Sequence, residues 1–161
     1  MKDEATHQPI LFEVIKKTTG PILELGAGHS STEQIHALAP KRHILTVDDH
    51  QEWLDNFKHL ANKYHKFELF NEWLFAIHGL DWDVVLIDLS TWEQRLWAIE
   101  KLRFHAKYLV IHDAQKRKLG RYFNYSREYR VPEYEFPTTL LGSNQCDLKK
   151  IIVEGAIIIK G

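Results

Sequence analysis

The length, charge and cysteine content of this chain exclude several classes of protein. Its 161 residues suit one compact domain, which we expect to span residues 1–161. Twenty-one Lys and Arg residues oppose 22 acids, a formal net charge of −1, which excludes a chain-wide basic field for nucleic acid. The chain has one cysteine, Cys146, which cannot form an internal disulfide, and it has no apolar signal-peptide core. It also has no apolar run of membrane length. These features predict a cytoplasmic protein that does not span a membrane.

Short apolar runs alternate with longer amphipathic segments through the first two thirds of the chain. The runs are rich in Val, Ile, Leu and aromatic residues and lack polar alternation, which is typical of strands buried on both faces of a parallel sheet. They occupy residues 21–25, 43–48, 66–70, 83–88 and 107–112.

Helix signals lie between these runs. Residues 1–20 contain an apolar helical face after Pro9, and three later segments open with the spacing of a capping box. The boxes are Ser30 with Glu33, Asp49 with Glu52, and Thr91 with Gln94. Alternating strands and helices predict an α/β fold with a doubly wound, mostly parallel, Rossmann-like sheet and helices on both faces.

The pattern changes near the C-terminus. Residues 136–141 and 151–160 predict two strands with no helix between them, so we expect them to close the sheet as an antiparallel pair. The chain thus divides into an N-terminal helix (1–20), a cofactor-binding core (21–114), a basic and aromatic segment (115–135) and closing strands (136–161).

A glycine turn follows the first predicted strand. Gly26 and Gly28 allow a tight turn and a close approach to a ligand, and Asp48 lies at the end of the second strand, where an acid can bind both ribose hydroxyls. This spacing predicts a nucleoside site. A dinucleotide site requires a third glycine, and Ser31 occupies that position, so an NAD-dependent oxidoreductase is the less favoured alternative.

The segment Glu24-x-Gly26-x-Gly28 resembles the first motif of class I S-adenosylmethionine-dependent methyltransferases. Residues 46–54 resemble a second stretch of one subgroup of that family, and strand-like runs ending at Asp88 and Asp113 occur in the family's order. The resemblance spans residues 8 to 160. It implies S-adenosylmethionine as cofactor, bound by Glu24, Gly26, Ala27, Gly28, His29, Ser30, Asp48, Asp49, Asn71, Glu72 and Asp88.

Asp88, His112 and Asp113 are the candidate catalytic residues. They follow adjacent predicted strands, where they can position or deprotonate a methyl acceptor. Some O-methyltransferases bind a divalent cation in this region, but Ala114 replaces the asparagine ligand. We therefore assign no metal-binding residue and treat Mg²⁺ or Mn²⁺ as a less favoured alternative.

Aromatic and histidine side chains outside these motifs receive structural assignments. Trp53 lies on an apolar helical face and is expected in the core. Three histidines, His29, His50 and His112, fall at strand ends near the predicted site, and we expect the other seven to be solvated.

Six cations lie between residues 116 and 130 beside several tyrosines. If this segment borders the site, it favours a small, anionic acceptor, with a nucleic acid as the less favoured alternative; a solvated helix is the structural alternative. The short N-terminal extension and the lack of an inserted lid leave a second hypothesis, a degenerate methyltransferase-like subunit that binds a partner or a second copy.

Overall fold

A single sheet runs through the computed structural model, which describes residues 5–70, 80–115, 117–134 and 136–161. Within those ranges its strands are β1 (Ile22–Leu25), β2 (Ile44–Asp48), β3 (His65–Leu69), β4 (Trp82–Ile87), β5 (Ala106–His112), β6 (Tyr125–Arg130), β7 (Thr139–Ser143) and β8 (Ile157–Lys160). They lie in the order β3-β2-β1-β4-β5-β7-β6-β8, and β1 to β5 are parallel to one another. The predicted mostly parallel sheet is confirmed.

Helices cover both faces of the sheet, as predicted. They are α1 (Gln8–Lys16), α2 (Thr32–Leu38), α3 (Gln51–Asp55) and α4 (Trp92–Leu102). Buried residues of α1 and α2 share one core cluster with Ile22, Val84 and Val110, and buried residues of α4 share the other with Leu23 and Val85. We call these two sides the α1 face and the α4 face.

The strand order reverses between β1 and β4. β2 and β3 extend the sheet on one side of this point and β5 extends it on the other, so the carboxyl ends of β1, β2 and β4 open onto a crevice. In open α/β sheets this reversal is where ligands bind.

The C-terminal strands are antiparallel, as expected, but they pair differently. β7 lies between β5 and β6 and is antiparallel to both, while β8 pairs with the far side of β6 at the sheet edge. The two segments predicted to pair with each other therefore flank β6.

β6 was missed because its sequence, Tyr-Ser-Arg-Glu-Tyr-Arg, carries charges on both faces and lacks an apolar run. Its Glu128 side chain lies on the α4 face, while Tyr129 packs in the core of the α1 face. The described residues of the basic and aromatic segment 115–135 consequently form neither a single helix nor a single surface, and the described cations among them are divided between two faces. Within the described ranges, no helix is long and apolar enough to cross a membrane.

Candidate functional site

The glycine turn after β1 depends on one glycine more than on the other. Gly26 has a φ of +99°, and a Cβ atom there would overlap the carbonyl oxygen of Asp88 on the neighbouring strand. At Gly28 a Cβ atom would meet only Ser31 Oγ, at an ordinary 3.5 Å. Position 26 thus requires glycine on both steric grounds, whereas position 28 has room for a side chain.

Glu24 supports this turn from below. Its carboxylate is fully buried and accepts hydrogen bonds from Ser31 Oγ at 2.5 Å, Thr32 Oγ1 at 3.1 Å and Thr46 Oγ1 at 2.7 Å. Burial raises its pKa to about 7, although the three hydroxyl donors favour the charged form. The carboxylate thus faces Ser31, α2 and β2 and supports the turn, while its contact with a cofactor stays a prediction.

A chain of hydrogen bonds continues from Glu24 towards the surface. Thr46 Oγ1 lies 2.9 Å from His65 Nε2, and His65 Nδ1 lies 3.0 Å from the Nδ1 of the half-buried His36. Burial, with the nearby His36, lowers the pKa of His65 to about 4, so this ring is neutral. The expectation that the other seven histidines are solvated is wrong for His65, whose ring is enclosed between β2 and α2, and for His7, which is also buried.

A cavity of about 590 Å³ opens at the carboxyl ends of β1, β2 and β4; we call it the first cavity. Asp48 lies in its wall and accepts hydrogen bonds from the backbone N–H groups of Ala27, at 2.9 Å, and His50, at 3.0 Å. Burial raises the pKa of Asp48 despite these two donors. The lining residues are Ala27, Asp48, His50, Glu52, Trp53, Asn56, Asp88 and Ser90.

Trp53 forms another part of that wall. Its Nε1 donates a 2.7 Å hydrogen bond to the carbonyl oxygen of Ala27, and the side chain is 39% exposed. The assignment of Trp53 to the core is therefore corrected. The sequence signal for a place at the site was the position of Trp53 in the helix that follows Asp48. The apolar periodicity of that helix favoured the core assignment instead.

Three residues predicted to bind the cofactor lie beside the first cavity instead of lining it. The exposed His29 ring packs against Trp53 and bonds to Glu33, the Ser30 carbonyl accepts from Gln8, and Asp49 pairs with His50 at 2.6 Å. These three residues therefore lie at the edge of the first cavity. The predicted residues Asn71 and Glu72 lie outside the described residues.

The three candidate catalytic residues meet at the ends of β4 and β5. Asp88 Oδ1 lies 3.2 Å from His112 Nδ1 and accepts a 3.0 Å hydrogen bond from Arg95 of α4. The other Arg95 terminal nitrogen is 3.8 Å from Asp113 Oδ2. The buried Arg95 thus bridges both carboxylates, a role that the sequence pattern did not indicate because Arg95 sits in an ordinary amphipathic helix.

Opposite charges set the protonation of the Asp88 and His112 pair. Burial disfavours ionised Asp88, but its contacts with His112 and Arg95 outweigh that effect and lower its pKa. Burial likewise disfavours charged His112, yet the hydrogen bond and charge of Asp88 raise its pKa. His112 Nε2 faces Thr6 at 3.1 Å, and the buried His7 ring packs edge-on against it, so His112 orients Asp88 from within the protein.

Asp113 faces a different opening, the second cavity, of about 390 Å³. It has a φ of +56°, a left-handed conformation that no other non-glycine residue adopts within the described ranges. Such strain in a non-glycine residue occurs preferentially at functional sites. The second cavity is lined by Trp92, Asp113, Gln115, Arg117 and Phe136.

Two groups of side chains have metal-ligand geometry within the described ranges. One comprises His7, Asp88 and His112, and the other Asp48, Asp49 and His50. In the first group Arg95 already lies 3.0 Å from Asp88, so a cation would meet direct repulsion. In the second group His50 Nδ1 already contacts Asp49 Oδ1 at 2.6 Å, so both groups would have to leave each other to bind a metal. Neither arrangement supports a divalent cation.

Comparisons with known proteins place the fold. No protein-family model and no curated protein matches the chain. Among solved structures, an rRNA methylase from Streptococcus thermophilus matches with a TM-score of 0.63 and 15% identity, covering 83% of this chain and 94% of that one. Human methyltransferase-like protein 13, solved in complex with SAH (S-adenosylhomocysteine), gives a TM-score of 0.60 and 12% identity over 92% and 82% of the two chains.

A spermidine synthase from Thermotoga maritima aligns with a TM-score of 0.64 and 13% identity, covering 94% of this chain and 63% of that one. At these identities the likeness shows the fold. The chain has the class I methyltransferase fold, as its sequence resemblance implied.

Proposed function

We propose that this protein transfers a methyl group from S-adenosylmethionine to a small acceptor. The observation that carries the proposal is the first cavity, where the Gly26 turn meets Asp88 and the acid Asp48 stands in the wall. A volume of about 590 Å³ lies in the range of small-molecule sites, and the structural neighbour solved with S-adenosylhomocysteine shares the fold.

The residues of this wall suit a nucleoside carrying a positive charge. Asp48 offers carboxylate lone pairs to ribose hydroxyls, and Trp53 offers a flat apolar surface beside them. Ser31 occupies the position of the third glycine of a dinucleotide turn, and its hydroxyl is bonded to Glu24, which argues against a dinucleotide. When bound, S-adenosylmethionine supplies an activated methyl group with its own leaving group.

The neighbouring carboxylates can serve the acceptor. Asp88 lines the first cavity and Asp113 lines the second, and Arg95 holds both in place. Asp113 is 39% exposed on its side chain, so it can accept a proton from, or orient, a nucleophile in the second cavity. Once an acceptor is identified, we expect Asp113→Asn to lower kcat at least tenfold. The affinity for S-adenosylmethionine should stay near that of the wild type.

We infer that the acceptor carries a negative charge. Arg117 lines the second cavity, and its guanidinium carbon lies 4.3 Å from the centre of the Trp92 ring. An aromatic ring, and not an acid, therefore positions this guanidinium. Arginine held in this way is well suited to a carboxylate or phosphate. Fewer cations support this inference than the sequence suggested, because Arg127 lies on the other face of β6 and donates a hydrogen bond to the Ile151 carbonyl oxygen.

The test of the proposal is a binding titration on a matched pair of variants. Asp48→Asn removes the charge inside the first cavity, and Asp49→Asn removes the adjacent charge outside it. We expect Asp48→Asn to weaken S-adenosylhomocysteine binding at least tenfold and Asp49→Asn to change it less than threefold. Trp53→Ala is a second variant, which removes a ring from the same cavity wall. Because Trp53 is 39% exposed, the fold should tolerate this truncation. Equal effects of both Asp variants, or no binding by the wild type, would contradict the proposal.

A second candidate function is that of a partner-binding subunit on the same fold. The observation in its favour is β8, an edge strand on which three consecutive isoleucines, Ile157, Ile158 and Ile159, are exposed. Exposed apolar edge strands readily pair with another chain. A chain that self-associates or captures a partner through β8, and does not bind S-adenosylhomocysteine, would favour this candidate over methyl transfer.

A further inference from the structure

A third cavity, of about 310 Å³, lies on the α4 face beside β6. Four of its lining residues are cations and one is an acid, although the whole chain has a net charge of −1. The lining residues are Arg117, Lys118, Gly120, Arg121, Ser126, Glu128, Leu140, Lys160 and Gly161. This local excess of positive charge favours an anionic occupant.

The acid in the cavity is already committed. Glu128 is buried, accepts a 2.6 Å hydrogen bond from Thr138 Oγ1, and pairs with Lys160 at 3.5 Å. It therefore offsets the charge of Lys160 and leaves the other three cations uncompensated. Within the described part of the chain, Arg117, Lys118 and Arg121 form no ion pair with an acid.

The two arginines of this cavity contact aromatic rings. Arg117 packs over Trp92, and Arg121 lies 5.1 Å from the Tyr122 ring centre and donates to its hydroxyl at 3.2 Å. The 3₁₀ turn Leu119–Tyr122 supports this arrangement, and Gly120 lies so close to Ser126 that a Cβ there would be 3.1 Å from Ser126 Oγ. Side chains restrained in this way lose less entropy when an anion binds.

The third cavity shares one lining residue with the proposed acceptor site. Arg117 lines both the second and the third cavity, so a molecule reacting beside Asp113 can extend past Arg117 onto the α4 face. We propose that the third cavity binds a phosphate group of the methyl acceptor. Phosphate suits this set because the two arginines provide forked N–H donors and Lys118 adds a point charge.

The identity of the occupant as an acceptor rests on the proposed function, but phosphate binding is measurable without it. The experiment titrates inorganic phosphate into the ¹⁵N-labelled chain at constant ionic strength and follows the backbone amides. We expect saturable shifts at residues 118–121 and at Ser126. Adding saturating S-adenosylhomocysteine beforehand should leave the phosphate affinity within twofold, because the two ligands occupy different cavities.

Matched double variants assign the effect to the cavity. Lys118→Gln with Arg121→Gln removes two charges from the third cavity, and Lys63→Gln with Lys101→Gln removes two charges from exposed sites elsewhere. The first pair should weaken phosphate binding at least fivefold and the second less than twofold, with unchanged melting temperatures. Equal weakening by both pairs, or shifts confined to other regions, would overturn the proposal.

Two further outcomes separate this inference from its premises. Phosphate binding in the third cavity without S-adenosylhomocysteine binding keeps the anion site and removes its assignment to a methyl acceptor. A single-stranded RNA oligonucleotide that binds far more tightly than phosphate, with steep salt dependence, would replace the small acceptor with a polynucleotide.

Discussion

At the scale of single residues, Gly26 makes the clearest demand on sequence. Its positive φ and its contact with the Asp88 carbonyl exclude a side chain, whereas Gly28 has space for one. We expect Gly26→Ala to lower the free energy of unfolding by roughly 2 kcal/mol or more and to abolish cofactor binding. Gly28→Ala is the matched control and should change stability by less than about 1 kcal/mol. Denaturant unfolding of both variants checks this, and similar losses would contradict it.

Glu24 and His65 predict opposing pH dependences. Because burial raises the Glu24 pKa from 4.5 to about 7, the folded state retains a proton that the unfolded chain releases, and this contribution to stability falls as pH rises through that window. Burial lowers the His65 pKa from 6.5 to about 4, so its contribution falls as pH drops through that range. The two slopes oppose each other between pH 4.5 and 6.5.

Single variants should expose these slopes. Relative to the wild type, Glu24→Gln gains up to about 3 kcal/mol of stability as pH rises from 4.5 to 7. His65→Gln gains relative stability as pH falls from 6.5 to 4. Urea unfolding at a series of pH values measures both differences. Variant curves that run parallel to the wild-type curve would show that neither group titrates as described.

His112 provides a direct test of its pairing with Asp88. Asp88 raises the His112 pKa against the effect of burial and of Arg95. In Asp88→Asn burial and Arg95 still disfavour the charged ring and only Asp113 still favours it, so the His112 pKa should fall. An NMR titration of the histidine ring protons measures the change. An unaltered pKa would mean that Asp88 is not the group that raises the His112 pKa.

At the scale of elements, α4 matters because it carries Arg95 to both carboxylates. Its N-terminus is a complete capping box, in which Thr91 Oγ1 accepts from the Gln94 N–H and Gln94 Oε1 accepts from the Thr91 N–H. Thr91→Ala should lower the free energy of unfolding by about 1 kcal/mol, and Thr91→Ser should restore most of it. Thermal or urea unfolding gives the difference; equal stability of all three proteins would contradict the cap.

The capping boxes also show how far sequence patterns predict this site. The Thr91 box is confirmed because that helix starts at the surface with no competing partner. The other two boxes do not form. The N-cap residue of α2 is Ser31, whose hydroxyl donates to the buried Glu24, and the N-cap residue of α3 is His50, which makes no side-chain cap. Local spacing cannot reveal a buried acid in another element, and the same limit concealed Arg95.

At the scale of the whole molecule, the parallel strands β1 to β5 were predictable because buried parallel strands have a distinctive composition. The pairing of β6 was not, since it depends on neighbours on both sides and not on its own pattern. That strand divides the cations between two faces, and it creates the third cavity on one of them. Charge clustered in sequence is therefore a weak guide to charge clustered in space.

The central claim is that the first cavity is a site for S-adenosylmethionine. Isothermal titration calorimetry of the wild-type chain with S-adenosylhomocysteine, and separately with NAD, tests it most directly. We predict saturable one-to-one binding of S-adenosylhomocysteine, lost in Gly26→Ala, and no measurable heat with NAD. Binding of NAD without S-adenosylhomocysteine, or binding of neither, would contradict it.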